Sequence, residues 1–122
     1  MEVPESVELR QSLVHGLGVF AKKSMEKDFC IGSWTGTKMT KSEFKEKYGD
    51  DISYTYWTAY NFKTKKTISV AKDSRNWITY INESLAPNVY LKNYKLWALR
   101  PILENEELFL RYNAKYPRDY IL

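Results

Sequence analysis

Cysteine and histidine are almost missing from this sequence, with Cys30 and His15 the only ones in 122 residues. A single thiol cannot form an internal disulfide. Zinc sites of three or four thiolates and two-histidine metal sites are excluded as well. A carboxylate-rich magnesium or calcium site stays formally open, but no metal is expected. No apolar run approaches the length of a membrane span. The opening Met1-Glu2-Val3-Pro4-Glu5 lacks the basic start and apolar stretch of a signal peptide. These absences fit a reducing, intracellular compartment and give no expectation of a membrane. Concentrated charge is scarce too. Nineteen Lys and Arg against fifteen Asp and Glu leave a net charge of +4, and the densest spots are Lys22-Lys23 and Lys63, Lys65 and Lys66. Neither accompanies a nucleic-acid-reading helix, so lysine-bearing strand edges are the plainer reading and direct nucleic-acid binding is not expected. No internal repeat or linker divides the chain, which reads as a single domain over residues 1–122.

Aromatic residues are abundant. Ten Tyr, five Phe and four Trp make up 16% of the chain, and the polar handles of Tyr and Trp point to a pocket or an interface in addition to a core. Period-2 patterning and glycine punctuation predict a mainly β fold. Strands are expected at Val7–Ser12, from Val19, at Phe29–Thr35, Tyr54–Phe62, Thr67–Ala71, Asn88–Tyr94, Leu96–Leu99 and Leu108–Tyr112. A tight turn is expected at His15-Gly16-Leu17-Gly18 and a lysine-rich hairpin turn after Phe62. Thr40–Tyr48 is the helix candidate, with Thr40 and Glu43 as a capping-box pair, Phe44 and Tyr48 on one face and Gly49 as the stop. Asn76–Ile81 reads as a short helix or a turn.

Three segments in order resemble the SET domain of protein lysine methyltransferases. They are His15-Gly16-Leu17-Gly18-Val19-Phe20-Ala21, then Tyr80-Ile81-Asn82-Glu83-Ser84-Leu85-Ala86-Pro87-Asn88, then Leu99-Arg100-Pro101-Ile102 through Glu106-Glu107-Leu108-Phe109-Leu110-Arg111-Tyr112. The Asn76-Trp77 lead-in is similar to the PR subgroup, and the length resembles minimal viral SET proteins. The resemblance implies a SET-like fold of small curled sheets with one short helix and a C-terminal pseudoknot. It also implies methyl transfer from S-adenosylmethionine to the side-chain amine of a protein lysine, with a histone tail as the leading target and the nucleus as the compartment in that case.

Carried over residue by residue, the resemblance assigns S-adenosylmethionine to Gly16, Leu17, Gly18, Asn82, Glu83 and Tyr116, with Tyr116 covering the adenine or packing in the core. Tyr112 becomes the catalytic tyrosine beside the transferring methyl. Trp34 and Tyr90 join Tyr112 in lining the lysine channel. Glu107 is expected to anchor the last strand, and Asp50, Asp51, Glu104 and Glu106 to attract a basic peptide. Glu83 stands where the family has His, Trp34 where it often has Tyr, and Asn105 where it commonly has Gly, a place that suits a residue tolerant of positive φ. The alternative reading is a catalytically inactive PR/SET-like module that binds protein or chromatin. A homodimer is a further expectation, because no cysteine cluster follows Tyr112 to build a zinc-bound closing segment.

Overall fold

A computed structural model of the chain describes residues 2–34, 39–49, 55–61, 66–71, 76–92, 95–111 and 119–121. It is mainly β, with small sheets and one α-helix among the described residues, in accord with the expected fold class. The chain forms two compact units, residues 1–35 with 76–111, and residues 36–75 with 112–122.

In the first unit, β1 (Val7–Gln11) and β2 (Leu17–Ala21) form an antiparallel hairpin in the register Val7↔Ala21 to Gln11↔Leu17. Its loop closes through the Ser12 N–H to the Gly16 carbonyl at 2.6 Å. The other side of β2 takes up residues 105–108. Ala21 N–H donates to Glu106 O at 2.9 Å and Leu108 N–H to Val19 O at 2.8 Å, around a Phe20↔Glu107 bridge. Side chains alternate across a strand, so Glu107 projects on the face of β2 that carries Gly18 and Phe20. A three-stranded antiparallel sheet has the order β3 (Cys30–Ser33), β9 (Lys95–Ala98), β8 (Val89–Lys92). Between β3 and β8 in sequence, Trp77–Tyr80 is a 3₁₀ turn capped by Asn76 Oδ1, which accepts from Ile78 N–H at 3.0 Å. It buries Trp77 and Ile78 completely, and the Trp77 indole N–H donates to Ser33 O at 3.0 Å. Val19, Leu96, Ile102 and Leu108 complete the centre of this core.

Two very short strands, β7 (Asn82–Glu83) and β10 (Phe109–Leu110), pair in parallel. Parallel neighbours need a long crossover, and here β8 and β9 lie between them in the chain. This pairing brings Asn82 beside the strand that carries Glu107.

In the second unit, β4 (Met39–Thr40), β5 (Thr55–Asn61), β6 (Lys66–Ala71) and β11 (Asp119–Ile121) form a sheet in the order β11-β5-β6-β4. Helix α1 (Lys41–Tyr48) begins where Thr40 Oγ1 accepts from Glu43 N–H at 3.2 Å. The Glu43 carboxylate takes the Thr40 hydroxyl at 3.2 Å in place of the backbone N–H of a full capping box. Gly49 closes the helix through its N–H to Lys45 O at 2.7 Å, and the Phe44 and Tyr48 rings pack with centroids 4.8 Å apart. Periodicity did not identify β4, β7 or β11, each too short to show an alternation. Of the expected strands at Tyr54–Phe62 and Asn88–Tyr94, residues 55–61 and 89–92 are strand, with Asn88 just before the second. The lysine-rich turn after Phe62 lies outside the described residues, as do Asp50 and Asp51. No described helix is long and apolar enough to cross a membrane.

Candidate functional site

Ser12, with the loop to Gly16, is where the site starts. The Ser12 hydroxyl oxygen accepts the N–H groups of Val14 at 3.0 Å and His15 at 3.4 Å, a local side-chain turn that shapes the loop from within. Gly16 has φ of +46°, and nothing lies within 4 Å of where its Cβ would stand. Of the two glycines of the expected turn, only Gly16 has positive φ. Gly18 lies within β2, and its reason for being glycine is space. A Cβ there would meet Glu107 Oε2 at 2.4 Å, Glu107 Cδ at 3.0 Å and Asn82 Nδ2 at 3.2 Å. Leu17, between them, is half exposed.

The Glu107 carboxylate accepts the Ser12 hydroxyl, at 2.8 Å to Oε1 and 3.0 Å to Oε2, and the Asn82 amide at 2.9 Å. Asn82 Nδ2 also donates to the carbonyls of His15 at 3.1 Å and Leu17 at 3.4 Å. A glycine turn, a loop 65 residues further on and the closing strand thus meet in one polar knot. Among the described residues, the Asn82 Oδ1 is left as an open acceptor, and Glu83 beside it is exposed. The edge of the knot thus has open space at Gly16, a half-exposed Leu17 and a spare acceptor at Asn82.

Beyond the knot, Asn88 holds the same closing strand. Its Nδ2 donates to Glu106 Oε2 at 3.0 Å and Glu107 O at 2.8 Å, and its Oδ1 accepts from Phe109 N–H at 2.7 Å. Glu106 also pairs with Arg100 at 3.0 Å. Desolvation works to raise the Glu106 carboxyl, but it is outweighed by hydrogen bonds from Asn88 and Leu103 N–H and by the Arg100 guanidinium, so the net shift is downward. Glu106 is therefore engaged in the fold, whereas the sequence pattern suggested a free acid for a basic peptide. Glu104 is exposed.

Trp34 follows the end of β3 and is buried at 6% exposure. Tyr90 sits on β8, and its hydroxyl donates to Asp28 Oδ1 at 3.3 Å. Partial desolvation, then the Asp28 charge and this hydrogen bond, push the phenol above its usual value. In the sheet register, Tyr90 lies in the row of Trp97 and Cys30, while Ser33, next to Trp34, shares a row with Lys95 and Lys92. The register thus sets Tyr90 and the neighbour of Trp34 in different rows of the sheet. The structure does bring Gly16, Leu17, Gly18 and Asn82 together. Tyr112 and Tyr116 lie outside the described residues. Sequence reasoning missed Ser12, whose signal was its place four residues before Gly16 at the mouth of the turn.

The SET domain family profile matches residues 16–113, and the chain belongs to that family. It is 29% identical over 121 residues to the histone-lysine N-methyltransferase MEDEA of Arabidopsis thaliana, covering 92% of this chain and 17% of MEDEA. Among solved structures, a chain of ctPRC2 in complex with H3K27me3 and H3K27M superposes with a TM-score of 0.73 at 20% identity, over 98% of this chain and 17% of that one. The methyltransferase domain of human PR domain-containing protein 2 gives 0.59 at 26% identity, over 92% of this chain and 80% of that domain. The chain therefore spans about a sixth of the length of MEDEA and of the ctPRC2 chain.

Proposed function

We propose that this chain is a protein-lysine methyltransferase with S-adenosylmethionine as methyl donor and a histone-tail lysine as target, acting in the nucleus. The observation that carries the reading is the contact of Asn82 with the Gly16 turn, inside a chain whose SET family match runs from that turn to the residue after Tyr112. The family names of MEDEA and of the human PR domain support the reaction class.

Bound, the donor supplies an electrophilic methyl group on a sulfonium. Gly16, Leu17, Gly18, Asn82 and Glu83 hold it, and Tyr116 covers its adenine. Trp34 lines the channel for the lysine stem, where an aromatic face contributes about 0.5–2 kcal/mol toward a cationic or methylated amine. Tyr90, tied to Asp28 at the other end of its sheet, is left out of that channel in this reading. The target ammonium, with an ordinary pKa of about 10.4, must lose its proton before it can attack, and a dry aromatic channel favours the neutral amine. Tyr112 orients that amine through its hydroxyl, so alignment of the two reactants supplies much of the rate.

Calorimetric titration with S-adenosylmethionine and a radiolabelled-methyl assay on histone peptides test the reading together. Saturable binding with methyl incorporation into lysine is expected. Peptide binding without donor binding would favour a non-catalytic module, the reading that Glu83 in place of the family's His supports.

A further inference from the structure

We propose that Glu107 is a positioning residue for the donor turn: its carboxylate, seated between Ser12, Asn82 and the space left by Gly18, sets the shape of residues 12–18 and the direction of the Asn82 amide. This inference rests on the reading that the Gly16 turn and Asn82 hold the methyl donor.

Glu107 and the turn are linked in three ways. The carboxylate receives the Ser12 hydroxyl on both oxygens, and the same hydroxyl oxygen gathers the Val14 and His15 N–H groups. Ser12 therefore relays the loop's conformation to Glu107. The carboxylate also takes one amide hydrogen of Asn82, while the same nitrogen reaches His15 O and Leu17 O. With the nitrogen committed to that side, the planar amide points its oxygen the other way, as an acceptor. Lastly, Gly18 has no room for a Cβ because the carboxylate fills that space. The second glycine of the turn is thus a socket for Glu107, and only the first presents open backbone.

A carboxylate is needed because the site is made of donors. An ionised Glu offers acceptors only, whereas Gln brings an NH₂ group against the Ser12 hydroxyl or the Asn82 amide. Loss of one such bond in a partly buried network costs enough to change affinity about tenfold.

Calorimetric titration with S-adenosylhomocysteine on the wild type, Glu107→Gln, Ser12→Ala and the double variant tests the proposal. Each single variant is expected to raise the dissociation constant about tenfold, and the double variant is expected to do no more than the stronger single one, because both break one linkage. In turnover, the KM for the donor is expected to rise by a larger factor than kcat falls. Should Glu107→Gln not fold, Ser12→Ala carries the test alone. Unchanged affinity in the folded variants, with only a lower melting temperature, would show a merely structural carboxylate and overturn the proposal, as would fully additive effects. A wild type that binds no donor analogue overturns the functional reading and this inference with it, and that result is visible before any variant is made.

Discussion

Two Asn–Glu pairs hold the closing strand, Asn82 with Glu107 and Asn88 with Glu106, and they differ in what is left over. Asn88 is 1% exposed and spends its amide nitrogen and oxygen alike on residues 106–109. Its backbone joins in too, with N–H to Phe109 O at 3.1 Å and O from Leu99 N–H at 2.8 Å. Asn82 is only half-buried, commits its nitrogen to the turn and the carboxylate, and keeps its oxygen open among the described residues. The same residue types therefore make a fold clip in one place and a candidate binding edge in the other. Residue identity does not separate them; burial and the use of each polar atom do.

The sharpest way to break this comparison is at the buried clip. Asn88→Ala orphans the Phe109 N–H and releases Glu106, and is expected to destabilise the protein by about 3 kcal/mol in denaturant unfolding. A loss as small as that of a surface substitution would end the distinction. Tyr112→Phe is expected to leave the fold intact and cut methyl transfer at least tenfold, about 1.4 kcal/mol, measured with radiolabelled donor; undiminished turnover removes Tyr112 from the reaction. Asn82→Ala is expected to cost about 1 kcal/mol of stability yet to abolish measurable donor binding by calorimetry, the reverse of the pattern for Asn88. A smaller change is expected with pH. The Glu106 carboxyl titrates below its usual 4.5 in the folded chain, so its contribution to stability is complete above that value and is lost as pH falls through the lower folded value. Melting curves of the wild type are therefore expected to drop faster in acid than those of Glu106→Gln. With Arg100 half exposed, added salt is expected to shrink the difference.

Local signals carried much of the fold. The Thr40 cap and Gly49 stop bounded α1 to the residue because both act within one turn of the backbone. Asn105 adopts φ of +70°, as its standing in for the family's common Gly suggested, and the β-rich aromatic stretches became strands. Some short strands were hidden: the two residues of β7 hold no pattern, and only their pairing with β10, which lies within the expected Leu108–Tyr112 strand, makes them one. In the site, the motif segments marked Gly16, Asn82 and Glu107, but the steric need for glycine at position 18 was not legible, because local spacing says nothing of a side chain arriving from residue 107. Trp34 and Tyr90 looked like partners in one channel wall, and the sheet register set Tyr90 and the neighbour of Trp34 in different rows.

By itself, the sequence determined the class of fold, the helix with its ends, and the family, since these rest on composition, period and motifs read along the chain. Tertiary structure alone decided which asparagine is sealed and which has an acceptor to spare, and why the second glycine must be small. Those outcomes depend on hydrogen-bond partners and excluded volume from segments that meet only when residues 105–110 close against β2 and β7.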